Sequence, residues 1–135
     1  MRLIKNTFAA VILLGIAWIL GMRYSAPNRH NREFKSKLPL FQKVVSDLQT
    51  SETAPSTSLT EVPVPENARS KVYFILAEHP AEGRLAVEFL TGRGFPVKHS
   101  GFLFLSSGRI EDFPKMVSRW PYQERLQDNW LYICD

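Results

Sequence analysis

Residues 8–22 form a run of fifteen without a charge, set between Lys5 and Arg23 close to the start of the chain. Such a segment marks a membrane-attached or exported protein and leaves only the rest of the chain to build a small domain. Fifteen helical residues rise ~22 Å, against a hydrocarbon core of ~30 Å. Leu3 and Ile4 lengthen the span if Lys5 snorkels, and Arg23 can do the same at the other end. Trp18 near one end and Tyr24 just past it suit an interfacial anchor. The rival reading is a cleaved secretory signal with Arg2 and Lys5 as its basic start. Its nearest cut site, Tyr24-Ser25-Ala26, has a bulky residue at minus three and is followed by Pro27. The only cysteine is Cys134, so a lipoprotein cysteine is missing. The expectation is an uncleaved membrane anchor over 1–24 and a single-pass protein.

Charge is unevenly placed. Residues 1–37 hold seven Lys/Arg and one acid, whereas residues 38–135 hold ten basic and twelve acidic residues. The high pI therefore arises beside the apolar run, where Arg29 and Arg32 join Lys5 and Arg23 as interface residues for anionic lipid headgroups. Nucleic acid is disfavoured, because residues 66–135 balance nine basic against nine acidic residues. Orientation is contested by the same charges. A strict positive-inside count puts the C-terminal part in the cytoplasm, while a short basic tail before a first apolar segment favours the opposite. The extracytoplasmic placement is expected.

Residues 25–49 continue as a basic juxtamembrane segment and a short amphipathic helix. Phe34, Leu38, Phe41, Val45 and Leu48 recur at heptad spacing for two heptads, enough for docking or weak self-association and short of a coiled coil. Pro39 predicts a helix starting there and running to Gln49. Residues 50–70 are dominated by Ser, Thr, Pro and Glu with no apolar period, which predicts an extended linker.

Residues 71–135 carry the domain pattern. Residues 72–76 are a continuous apolar run, as for a strand buried on both sides. Pro80 then opens an expected helix with stripe Leu85, Ala86, Phe89 and Leu90, ended by Gly92 or Gly94. Residues 95–99 are a short strand candidate, Ser100-Gly101 a hairpin signal, and residues 102–105 a second apolar strand. Ile110, Phe113, Val117 and Trp120 give another helical stripe, and residues 130–134 a last strand. The order is βαββαβ. It predicts an α+β chain: a transmembrane helix, a linker, and a ferredoxin-like domain with a four-stranded antiparallel sheet and two helices on one face.

An N-terminal anchor, a Ser/Pro-containing tether and a terminal βαββαβ domain is similar to the layout of bacterial SPOR-domain proteins, which bind peptidoglycan. The match lies in residues 72–76, a helix containing Ala86, and Gly94-Phe95. The sequence lacks the Gln common in that family's first strand and the glycines that close its strands, so no binding residues carry over. The resemblance implies a cell-envelope polymer as ligand.

No HExxH, CxxC, GxSxG or P-loop spacing occurs, so no catalytic residue, metal site or cofactor is expected. Glu78-His79 is the best acid/base pair by position, but adjacent strand residues point apart. Ser106-Ser107-Gly108-Arg109 before a helix could cradle an anion or simply form a loop and cap. On the sheet face opposite the helices, Tyr73, Trp130 and Tyr132 would make an aromatic platform for a sugar, a peptide or a base, unless the N-terminal helix or linker packs there. Two functions follow: a non-catalytic, membrane-tethered binding domain for an envelope ligand or partner protein, or a small assembly subunit of a membrane complex.

Overall fold

A computed structural model of the chain describes residues 15, 29–51, 56–94 and 99–135. Two compact units make up the chain, Met1–Lys35 and Ser36–Asp135. In the first, residues 29–35 are helical, Arg29 and Arg32 are exposed, and Phe34 is buried. Lys5, Trp18 and Arg23 lie outside the described residues, as does the apolar run 8–22 apart from Gly15. Among the described residues no helix is long and apolar enough to cross a membrane. This corrects the expectation of a single-pass protein with an extracytoplasmic domain. The long helix that is described, over 29–50, carries Arg29, Arg32, Glu33, Lys35, Lys37, Lys43 and Asp47, too many charges to enter hydrocarbon.

The second unit is an antiparallel sheet of six strands. In chain order these are β1 (Ser56–Glu61), β2 (Phe74–His79), β3 (Ala86–Arg93), β4 (His99–Leu105), β5 (Tyr122–Gln127) and β6 (Trp130–Cys134). Their order across the sheet is β1-β2-β3-β4-β6-β5. Helix α1 is described over 29–50, and its part in this unit starts before Pro39 rather than at it. Pro39 is exposed, so the hydrogen bond it omits falls on the solvent side. Helix α2 (Pro114–Val117) is a single turn between a 3-10 turn, Ile110–Asp112, and β5.

Strand register assigns the faces. Phe89 pairs with Phe102, and Phe102 with Tyr132, so Ile75, Val87, Phe89, Phe102, Phe104, Trp130 and Tyr132 share one face. Residues 36–50 of α1 lie on it. The Phe41 ring sits 4.4 Å from Phe89, 5.5 Å from Phe102 and 5.7 Å from Trp130. The opposite face carries Leu76, Ala86, Leu90, Leu103, Leu105, Leu131 and Ile133, covered by Phe113, Met116 and Trp120. Gln123 ties β5 to this cover by donating to the Val117 and Trp120 carbonyls.

The split βαββαβ expectation is therefore corrected in several places. The first expected helix is β3. A strand with both faces covered needs apolar residues at both parities, and Ala86, Val87, Phe89 and Leu90 supply them. That run satisfies a helical stripe equally well, so periodicity alone misleads. The second expected helix is cut to one turn, because Pro114 has no N–H to continue the preceding 3-10 turn. Ser100-Gly101 lies inside β4 and makes no turn. A Cβ at Gly101 would collide with the Phe89 carbonyl oxygen, so the glycine lets two strands approach. The stretch expected as linker supplies β1, which pairs with β2. With Ala86 in a strand, the layout shared with SPOR domains is absent.

Candidate functional site

Glu88 is the one charge within the apolar run of β3, and its parity turns it towards the α2 side of the sheet, where it is fully buried at 0% exposure. Its Oε2 accepts a hydrogen bond from the Trp120 indole N–H at 2.7 Å and lies 3.5 Å from the Arg119 guanidinium. Its Oε1 has no partner among the described residues. Burial pushes the Glu88 carboxyl pKa up, against the opposing pull of the Trp120 hydrogen bond and the Arg119 and His99 charges. A buried carboxylate with an unsatisfied oxygen costs stability. What it achieves is placement: Arg119 and Trp120 are fixed side by side.

Those two side chains form a wall of a cleft of about 370 Å³, completed by Tyr73, Phe74, Leu90, His99 and Asp135. His99 opens β4 and Asp135 follows β6, so the antiparallel pairing brings them together. Asp135 accepts from the His99 main-chain N–H at 2.7 Å, and its other oxygen lies 2.9 Å from His99 Nδ1. Across the cleft, the Tyr73 hydroxyl donates to the Gly92 carbonyl at 3.3 Å, and the Arg93 guanidinium sits 5.1 Å from the Tyr73 ring centre. Arg119 is placed likewise at 6.0 Å from the Trp120 ring. Burial raises the Tyr73 pKa more than the Arg93 charge lowers it, with Asp135 and Glu88 adding to the rise. The phenol thus stays protonated.

The three residues expected to share a platform occupy different places. Tyr73 packs beside the α2 cluster and lines the cleft. Trp130 and Tyr132 lie on the α1 face, at 5% and 7% exposure. The indole of Trp130 has Phe41 stacked on it, and Tyr132 meets Phe102 and Tyr122 edge-on. Of the seam residues, Phe41 and Val45 are buried, while Leu38 and Leu48 are half-buried.

The buried Glu78 carboxylate accepts the Met116 main-chain N–H and so caps α2. Two hydroxyls of the 106–109 loop hold main-chain groups: Ser106 accepts from Leu85 N–H and Ser107 from Arg109 N–H. Cys134 is a free thiol whose pKa is raised chiefly by burial. Among the described residues, no group of His, Cys, Asp and Glu could hold a metal ion.

Sequence reasoning missed Glu88, Arg93, His99, Arg119 and Asp135. Only Glu88 left a signal, as a lone acid flanked by Val87 and Phe89 in a run otherwise apolar from Leu85 to Leu90. Arg93, His99 and Asp135 meet through strand pairing that a helix in place of β3 conceals, and Arg119 joins them from beyond α2 through its ion pair with Glu88. Fold and cleft together define a six-stranded antiparallel domain with a mixed aromatic and charged recess. Comparisons with known protein families, curated proteins and solved structures find no match to this chain.

Proposed function

We propose that the chain is a non-catalytic binding domain that takes a small organic anion with a flat apolar body into the Tyr73–Trp120 cleft. The observation that carries this is Glu88: a fully buried carboxylate holding Arg119 and Trp120 in the cleft wall serves the wall better than it serves the core. Arg93 has no carboxylate within ion-pair distance among the described residues and lies over the opposite ring, so its charge is open to an acidic ligand group. The rings of Tyr73, Phe74 and Trp120 suit an aromatic or branched body, and a cavity of about 370 Å³ fits a ligand of that size. Binding is favoured over catalysis because the lining, among the described residues, offers no serine, threonine or cysteine for the His99–Asp135 pair to activate.

The assembly reading draws on the covering of the Trp130–Tyr132 face by α1. Phe41 and Val45 are buried within the domain, however, so assembly would need a surface other than the seam.

Thermal melting of the full chain with benzoate, phenyl phosphate and neutral benzamide tests the proposal. Either anion should raise the melting temperature by mass action, benzamide should not, and Arg93→Ala should remove the shift while leaving the ligand-free melt close to wild type. Equal shifts with benzamide, or none with the anions, would sink it.

A further inference from the structure

We infer that a second site, on the other side of the sheet from the cleft, binds a neutral saccharide chain. It is the groove of about 750 Å³ between α1 and the β5–β6 turn. Gln42, Ser46 and Gln49 line one wall at spacings of four and three, so they form a single stripe of α1. Gln127 and Asp128 line the other, and Phe104 and Trp130 make the floor.

Exposed glutamines on a helix are ordinary; their convergence here is not. Gln42, Gln49 and Gln127 make no side-chain hydrogen bond among the described residues, and all three face one space. The next exposed stripe of α1 differs, since Lys43 and Asp47 pair at 3.4 Å. Each carboxamide offers two donors and an acceptor with two lone pairs, the set that neighbouring hydroxyls of a sugar ring engage in both directions. Among the described residues no cation lines the groove, and Asp128 adds a negative charge, so acidic polysaccharides and nucleic acid are disfavoured. Phe104, half-buried, offers a ring to the C–H face of a pyranose. Gln42 to Gln49 spans ~10 Å of helix, the length of about two sugar rings. An extended peptide fits less well. Alternate side chains would point at the floor, and Trp130, 5% exposed beneath Phe41, leaves no pocket to receive them.

Calorimetric titration of the full chain with chitotetraose and maltotetraose decides the matter, with a heparin tetrasaccharide and an alanine–glycine octapeptide as rivals. A neutral oligosaccharide should bind, and Gln49→Ala and Gln127→Ala should each weaken it about three- to tenfold, the size of one hydrogen bond. Both side chains are exposed, so the melting temperature should not move. Arg93→Ala should leave sugar affinity unchanged, which separates this site from the cleft. The inference fails if neither sugar binds at millimolar concentration, or if the glutamine variants bind as wild type. It also fails if heparin or the peptide binds in preference, or if Arg93→Ala abolishes sugar binding.

Discussion

Glu88 shows how one side chain can be costly to the fold and useful to a site. Its raised pKa means that the native state holds a proton more tightly than the unfolded chain. Between the ordinary carboxyl range and that raised value the unfolded state has released the proton and the native state has not. Stability contributed by Glu88 is therefore complete at low pH, falls as pH rises through this window, and is level above it. The charged groups that act on it are Arg119 beyond α2 and His99 on β4, with the Trp120 indole bonded to it. Glu88→Gln should abolish this component, so wild type minus variant stability, from urea melts across a pH series, should decline from acid to neutral pH. A flat difference would show that the carboxyl is not burdened by burial. This residue was the legible part of the site, because a lone acid in an apolar run stands out in any conformation. Arg93, His99 and Asp135 look like ordinary surface charges until strand register places them, and Arg119 does so until Glu88 draws it in.

At the scale of elements, strand identity was readable wherever an apolar run had no competing period. Residues 130–134, expected as the last strand, coincide with β6, and residues 102–105 fall within β4. Reading failed where covering both sheet faces erased the alternation that marks a strand, as in β3, and where a polar composition concealed an edge strand, as in β1. The α1 seam was visible as a pattern, but a heptad stripe does not say whether it meets another chain or its own sheet. In this unit Phe41 meets Phe89, Phe102 and Trp130. Phe41→Ala and Trp130→Ala should each cost about 3–5 kcal/mol as core truncations. Tyr73→Ala, at a half-buried cleft position, should cost clearly less. Denaturant midpoints at constant m-value would rank the three. A Trp130 variant as stable as the Tyr73 variant would mean that α1 does not close that face.

On the scale of the whole unit, a sheet covered on both faces concentrates stability at its middle. β3 and β4 have hydrogen-bonded neighbours on each side, whereas β1 and β5 each have one strand neighbour among the described residues. β5 has no buried residue and leaves Tyr122 half exposed, and its Glu124 and Arg125 discourage further strand pairing. Residues 36–50 of α1 bury Phe41, Val44 and Val45, an apolar stripe that has no other reason to be ordered. Opening this helix segment would expose Phe89, Phe102 and Trp130 together, so it should unfold with the sheet centre. Native-state hydrogen exchange resolved by peptide should accordingly find β3, β4 and the second half of α1 among the slowest segments, at a common free energy. The outward amides of β1 and β5 should exchange faster. If 36–50 exchange freely while β4 stays protected, the helix is a removable cover, and its groove with the β5–β6 turn would then be regulated by undocking. If all three segments exchange together, the groove is a fixed part of the domain and stands ready for its ligand whenever the sheet is folded.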